Sequence, residues 1–497
     1  MTTTPNAQAL PNDQMLTIEQ RLALTREAMV QLRVKQPKGI RRPPGPSRRR
    51  VASAILTGRV TSLAFMGELC SIKPISFARV GPENLYALSD PELVWEVFAK
   101  LDGTTRRSMA LQATRPILGN GILTSEEPEH KRNRSLVQPA FSPRRIATYG
   151  DQMVAATQRL SSQWRDRVRT GDTGILVSEQ MSDLTLDIVG RTLFGADLTG
   201  DAVEISEALT AVLGRFSRML SPAGVVLLRF PTPTRRRLIE SVERLDAVVA
   251  RLIAQKQAQL LAGEDPTDML AVLIQARDPE SGQGLSVNEL RDEVMTLVLA
   301  GHETTANALS WTWLELSRHR EIRRWVEEEW DTVGQDRSLG IDDVGQLHRT
   351  RAVVAESMRL NPPAWIISRR LREDISLDGY NIPKGSTLLA SQYYMQRDPR
   401  YWTDASSFTP SRWLNDDGEF DEKAPGQPRA AWFPFGFASR KCIGDRFALA
   451  EAVLALATLG RDWEVVASAP RDVIPVPAVT LRPGNGIPAR IRPRIGH

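Results

Sequence analysis

The sequence predicts a mainly α-helical fold with a minor β part. From residue 128 to about residue 360, apolar residues recur at helical spacing with polar faces between them. Short alternating runs bounded by Gly, Pro and Asp are confined to residues 75–88 and to the region beyond Arg369. With 497 residues and 41% hydrophobic content, the chain can bury a large core. No linker, low-complexity tract or internal repeat divides it, so residues 43–497 read as one domain.

Residues 1–42 are polar and read as a flexible extension, with a helix expected near 18–32. The Pro- and Arg-rich run from Arg41 to Arg50 then leads stiffly into the fold. Its basic cluster is expected to be solvated rather than bound to lipid. Residues 75–88 read as a hairpin around Gly81-Pro82-Glu83-Asn84. Asp90-Pro91 starts a helix to about residue 100, because Pro suits a first helical position. Residues 101–127 are loop-rich and contain Gly119-Asn120-Gly121. Helices are expected at 130–137, 143–169, 178–194, 201–219, 234–261, 266–275, 286–319, 321–333 and 341–360. Strands follow at 369–377, 380–382 and 387–390, with turns at Asp378-Gly379 and Lys384-Gly385. A helix at 445–459 precedes a final hairpin, in which 476–481 pairs with 488–491 around Pro483-Gly484-Asn485-Gly486.

The formal net charge is +5 and the sequence pI about 9.3. Lys and Arg are interspersed with Asp and Glu, which describes a solvated basic surface rather than a nucleic-acid-binding one. The two cysteines, Cys70 and Cys442, are too few for a disulfide framework and fit a reducing cytoplasm. Cys70 reads as structural. No run approaches the roughly 20 apolar residues of a membrane span, and no signal-peptide pattern opens the chain. No transmembrane anchor is therefore expected.

Residues 433–449 concentrate the chemistry. Gly436 and Gly444 suit tight turning, and Cys442 sits where a loop becomes an apolar helix. Unpaired N–H groups and the positive helix end, with Arg440 and Lys441 beside them, favour a thiolate there. Taken alone, the loop allows a soft-metal ligand, a nucleophile or an inert core cysteine. The helix at 286–319 is nearly all apolar from Val294 to Ala300, which predicts burial. Gly301 costs about 1 kcal/mol against Ala in mid-helix, and in return it lets a flat ligand approach the backbone. Thr304 could bond back to a carbonyl and open the helix locally. Glu303 and Thr304 together look like a proton-delivery pair. Glu356 and Arg359 lie on one helical face and can pair. Arg412, in the run Phe408 to Trp413, could complete a buried Arg–Glu–Arg cluster.

These four stretches, in this order, resemble the cytochrome P450 family from about residue 43 to the C-terminus. The ordered set ending in Phe435-x-x-x-x-Arg440-x-Cys442-x-Gly444 carries the resemblance. One position departs: a glycine usual in the family's loop is Ala438 here, which is tolerable if that position needs no positive φ. The resemblance implies haem b as cofactor, with Cys442 as the thiolate ligand of its iron. It places Phe435 near the sulfur, with Gly444 and Ala300 also at the cofactor. Arg440, His130, Arg134 and Arg369 are its propionate ligands, with Arg370 as the rival of Arg369. It gives proton delivery to Thr304 and Glu303, and support of the cysteine loop to Glu356, Arg359 and Arg412. Ile122, Leu123, Ala364, Trp365 and Val479, with Ala300, would line an apolar pocket, so the substrate should be a hydrophobic small molecule.

The implied activity is a monooxygenase that inserts one oxygen atom from O2 into a terpenoid, fatty acid or steroid-like compound. Within the family the chain is similar to soluble bacterial hydroxylases of terpenes, the pentalenene oxygenase type among them, or of fatty acids. Because no flavin, nicotinamide or iron–sulfur domain follows the last hairpin, electrons are expected from a ferredoxin with its ferredoxin reductase. The run Val225 to Phe230 resembles the family's flexible lid, read as a substrate entrance ahead of a peripheral membrane contact, and that ahead of mere packing. A monomer is expected. Two other readings stand beside this one: a non-catalytic haem-binding sensor or carrier, and a cysteine-nucleophile enzyme without haem.

Overall fold

The structure, a computed structural model, describes residues 15–31, 39–81, 83–195, 232–264, 267–335 and 337–494. The expected helix at 201–219 and the lid at 225–230 lie outside these residues. The chain forms two compact units. One comprises Met1–Gln31, Met109–Thr148 and Leu186–Ala300; the other comprises Leu32–Ser108, Tyr149–Thr185 and Gly301–His497.

In the first unit, the long helix Pro233–Leu261 starts with Thr232 capping the N–H of Arg235 and with Pro233 in the first turn. It buries a stripe at helical spacing: Leu238, Val242, Leu245, Val249 and Leu252. The N-terminal helix Ile18–Gln31 packs beside it and beside the short helices Met109–Gln112 and Arg115–Leu118. Ile18, Leu22 and Arg21 of that helix are buried, so this part of the expected extension is fastened down. Helix Met269–Gln275 is capped by Asp268, whose carboxylate also takes buried Lys256 at 2.7 Å.

The second unit holds all the described strands: β1 (Ile75–Val80), β2 (Glu83–Leu88), β3 (Thr105–Arg107), β4 (Gly174–Leu176), β5 (Ile367–Leu371), β6 (Ile375–Leu377), β7 (Tyr380–Ile382), β8 (Thr387–Ala390), β9 (Trp463–Ala467), β10 (Pro475–Pro477), β11 (Leu481–Pro483) and β12 (Pro488–Pro493). The largest sheet runs β1-β2-β8-β5-β3, with β2 and β8 parallel. The Asp378-Gly379 turn joins β6 and β7 as expected, with φ of +49° and +71° at its two residues, the primed geometry that a two-residue hairpin favours. The expected final hairpin is corrected. Strand β10 pairs with β11, while β12 pairs antiparallel with β4 and β9. Asn485 and Ile487 take φ of +61° and +53°, which turns the chain out of β11 and into a different sheet.

The central helix Val287–Arg318 is an unbroken α-helix through Gly301 and Thr304, so the local opening expected at Thr304 is not present. Among the described residues, no helix is long and apolar enough to cross a membrane.

Candidate active site around the Cys442 loop

The cysteine loop closes on itself. The Cys442 N–H donates to Phe435 O (2.8 Å), that of Gly436 to Phe433 O (3.2 Å) and that of Lys441 to Ala438 O (3.1 Å). Gly436 takes φ +72°, and so does its job of turning the chain. Cys442 is exposed at the end of this loop, just before the helix Asp445–Asp462, for which Gly444 is the N-cap residue. Ala438 takes φ +49°. The condition under which alanine would be harmless there is therefore not met, because a left-handed residue with a Cβ is strained. Ala438→Gly should raise stability in urea unfolding by about 1 kcal/mol; an unchanged or lowered midpoint would remove the strain argument.

Aromatic packing fixes the loop's base. Phe433 is buried with Val94, Val97, Phe98 and Leu371. Phe437 stacks on Phe433 (5.2 Å between ring centroids) and meets Trp95 edge-on (5.7 Å). The Arg369 guanidinium lies 5.7 Å over the Phe98 ring in the same cluster. Alternation along β5 sends Arg370 the other way, where it pairs with Glu83 at 3.0 Å. Of the two rivals, Arg369 is thus the one aimed toward the loop's aromatic base. Phe435 and Arg440 are half-buried in the loop.

Behind the loop, Glu356 and Arg359 are fully buried and paired through two hydrogen bonds of 2.9 Å. Arg412 Nε joins at 3.2 Å, and Glu356 also accepts from Thr409 N and Trp413 Nε1, each at 2.9 Å. Arg359 donates onward to the carbonyls of Gln396, Ala405 and Ser407. Gln396 returns its side chain to the carbonyls of Met358 and Arg359, and its Oε1 accepts from Phe433 N at 3.3 Å. The triad is therefore tied through Gln396 to the first residue of the cysteine loop.

On the central helix, Ala300 is exposed and Gly301 and Thr304 are half-buried, interrupting a run buried on either side. Glu303 is buried and does not open freely to solvent. Its Oε1 accepts from Thr480 Oγ1 and from Arg482 Nε at 2.6 Å. Asn307 Nδ2 donates to Thr480 Oγ1 (3.0 Å), Trp311 Nε1 to Leu481 O (3.0 Å), Trp365 Nε1 to Ala478 O (3.1 Å) and Leu481 N to Pro363 O (2.9 Å). These bonds gather Glu303, Ala364, Trp365 and Val479 around the turn at 478–481. Ala364 and Val479 are half-buried. The Trp365 ring, expected in the pocket lining, is buried in a cluster with Phe65, Met66, Leu69, Leu389 and Leu481, so its bulk goes into the core. His302 is fully buried, with Nε2 2.8 Å from Ser182 Oγ, and burial pushes its pKa down to about 4.

In the first unit, residues 119–123 lie close against the central helix. The Asn120 N–H donates to Asp292 Oδ2 (2.6 Å) and the Ile122 N–H to Glu293 Oε2 (3.0 Å). A Cβ on Gly119 would fall 1.8 Å from the Asp292 carboxylate, and one on Gly121 would fall 2.7 Å from Asp292 O. Ile122 is buried and Leu123 half-buried. Asn133 Nδ2 donates to Asn120 O (3.4 Å), which brings helix Glu129–Val137 to the same loop. On that helix His130 is buried, with Nδ1 2.9 Å from Glu127 Oε1, and Arg134 is half-buried.

Glu293 was not singled out from the sequence. Its signal is an Asp-Glu pair directly before an apolar run that must be buried. Burial pushes its carboxyl up to about 8; neighbouring Asp292 and Glu289 act in the same direction, while the Ile122 N–H and Asn133 oppose it. A carboxyl raised above its ordinary value binds a proton in the fold that the unfolded chain releases. Its contribution is complete below the ordinary carboxylate range and is lost as pH rises toward 8. Glu293→Gln, which stays neutral, should flatten the loss of stability between about pH 5 and pH 8. The effect is bounded by about 1.4 kcal/mol per pH unit, and parallel urea curves for both proteins would count against it.

A sequence profile of the family described as cytochrome P450 matches residues 68–486. The chain is 36% identical over 423 residues to cyclooctatin synthase of Streptomyces melanosporofaciens, covering 85% of this chain and 87% of that one. It is 34% identical over 421 residues to pentalenene oxygenase of Streptomyces avermitilis, covering 84% and 90%. It is 31% identical over 421 residues to cyclooctat-9-en-7-ol 5-monooxygenase of Streptomyces melanosporofaciens, covering 84% and 86%.

Proposed function

The chain belongs to the cytochrome P450 family, and within this family of haem b monooxygenases we propose that it oxygenates a terpenoid with electrons from a ferredoxin. The observation that carries the reading is the exposed Cys442 thiol on a self-closed loop fastened to the Glu356–Arg359–Arg412 triad. The donor set fits the cofactor. Among the described residues, no group of three or more His, Cys, Asp or Glu could hold a metal ion. An iron that arrives inside its own four-nitrogen macrocycle needs one protein ligand, and Cys442 supplies a soft one. Arg369 and Arg440, on the unit that carries the loop, would hold the macrocycle's carboxylates, as guanidinium groups do best. When bound, the haem supplies the iron at which O2 is activated.

The protein's own part is to position, to exclude water and to move protons. Glu303 stands next to Thr304 in the chain and is anchored on Thr480 and Arg482, and it would pass protons toward the Thr304 hydroxyl. Glu303→Gln should lower kcat by roughly 10²-fold with substrate binding unchanged; parent-like kcat would remove Glu303 from the path. The substrate class is inferred from the relatives, whose names include pentalenene and cyclooctat-9-en-7-ol, both terpenoids, together with the apolar Ile122, Leu123, Ala364 and Val479. The test is turnover of pentalenene with a ferredoxin, its reductase and isotopically labelled O2. One labelled oxygen per product molecule is expected; turnover of fatty acids alone would overturn the substrate class.

Lys441, paired with Asp445 at 2.6 Å, and exposed Arg446 suit an acidic electron donor. Lys441→Glu together with Arg446→Glu should slow the first electron transfer by about 10-fold or more at low salt. An unchanged rate there would count against this docking face.

A further inference from the structure

The N-terminal helix lies outside the matched family region, which begins at residue 68, yet it is fastened to the first unit by charged groups. Leu16 N donates to Asn288 Oδ1 (2.7 Å), and Arg235 Nη2 donates to both carboxylate oxygens of Glu19 (2.7 and 2.6 Å). The strongest link is Arg21, which is 5% exposed. Its Nε donates to Pro116 O (3.0 Å), and its Nη2 meets Asp246 Oδ2 (2.5 Å). Asp246 Oδ1 accepts from Arg291 Nε (2.7 Å) on the central helix. Arg291 is 1% exposed and also donates to Asp292 Oδ1 (3.0 Å). Asp292 Oδ2 then accepts the Asn120 N–H (2.6 Å).

Charge alternates along this line: Arg21 positive, Asp246 negative, Arg291 positive, Asp292 negative. Asp246 and Asp292 are half-buried, each faces a cation, and Arg291 is shared by the two. Removing Arg21 would leave Asp246 dependent on Arg291 alone. Arg291 would be drawn toward Asp246 and away from Asp292, the group that holds the backbone of Asn120. Gly119 and Gly121 let this loop sit against the helix with no room to spare, so a shift of Asp292 is transmitted to Ile122. Burial pushes the Asp292 carboxyl up, while Arg291 and the Asn120 N–H oppose that, as expected where the charges depend on one another.

We propose that the N-terminal helix is a positioning element for the substrate pocket. It acts through Arg21, Asp246, Arg291 and Asp292 on the 119–123 loop and so sets how a hydrophobic substrate is held. The link from loop to substrate rests on the reading of Ile122 and Leu123 as pocket residues; the link from Arg21 to the loop does not.

The experiment is amide hydrogen exchange on the full-length holoenzyme, followed across residues 116–125, in the parent and in Arg21→Gln, Arg21→Lys and Glu19→Gln. Spectral titration with pentalenene is run on the same samples. Arg21→Gln is expected to speed exchange in the loop by roughly 10-fold and to weaken pentalenene binding by several-fold. Arg21→Lys, which keeps the charge on Asp246, should restore much of both. Glu19→Gln, which loosens the same helix outside the relay, should leave the loop unchanged. Loop exchange that is unchanged in Arg21→Gln, or equally raised in Glu19→Gln, overturns the relay. Faster loop exchange with unchanged pentalenene affinity overturns its service to the pocket. The ferrous–CO spectrum of each variant reports separately on the cysteine loop, so failure of the P450 reading would be seen apart from either result. If Arg21→Gln misfolds by circular dichroism, Asp246→Asn, which breaks the same relay at its next member, takes its place against Glu19→Gln with the same expected and overturning results.

Discussion

Cys442→Ser should abolish turnover while leaving most of the fold in place. The Cys442 side chain is exposed, and the loop is closed by its backbone N–H to Phe435 O, which serine can still make. The folded chain should therefore lose little stability. The chemical loss should be large. A thiolate donates electron density to a bound iron, and a hydroxyl at the same place does so poorly. We expect turnover to fall by roughly 10³-fold or more, equivalent to about 4 kcal/mol of barrier. Haem content should fall as well, because one soft ligand is replaced by a hard one. Measured haem content, turnover with a ferredoxin system and a urea unfolding curve check the three parts together. Cys442→Ser with parent-like turnover would show that the sulfur is not the ligand.

Glu356→Ala should have the largest effect on the fold. Glu356 accepts from two arginines, the Thr409 N–H and the Trp413 indole. Without it the Arg359 guanidinium stays buried beside unpaired donors. Breaking a buried pair in this way costs about 3–5 kcal/mol, a large part of a stability of roughly 5–15 kcal/mol. The damage should spread to the cysteine loop through Gln396 and the Phe433 N–H, so haem loading should fall with stability. Glu356→Gln keeps the shape and should fall between the two. The exposed pair Arg169–Asp166, at 3.5 Å, is the control. Asp166→Ala there should cost about 0.5 kcal/mol or less. Equal costs at the two sites, by urea unfolding, would contradict the account of the triad.

Much of the fold was legible because long helices leave repeated signals. The central helix and Pro233–Leu261 carry many apolar residues at one spacing. The Asp378-Gly379 turn was legible because two left-handed residues admit few types. Three-residue strands such as β3 and β4 were not legible. Their identity depends on partners more than 200 residues away, β5 and β12, and not on their own pattern. The final hairpin was misassigned for a related reason. Gly484-Asn485-Gly486 marks a turn but not which strand follows into which sheet.

At the site, the sequence supplied residue types and the fold supplied their companions. Cys442, Glu356, Arg359 and Arg412 were found from their order along the chain. Gln396, which links the triad to the loop, is a lone glutamine with no local signal. Ala438 needed the backbone angle before its strain was visible. Glu303 was read as half of a proton-delivery pair, but the partners that hold it, Thr480 and Arg482, come from a turn nearly 180 residues later.

The most direct measurement is the absorbance spectrum of the full-length protein, expressed with a haem supply, reduced and exposed to carbon monoxide. The account predicts stoichiometric haem b and a Soret band at the red-shifted position of a thiolate-ligated iron, absent in Cys442→Ser. A chain that takes up no haem, or whose band lies at the position of a neutral nitrogen ligand, would contradict it.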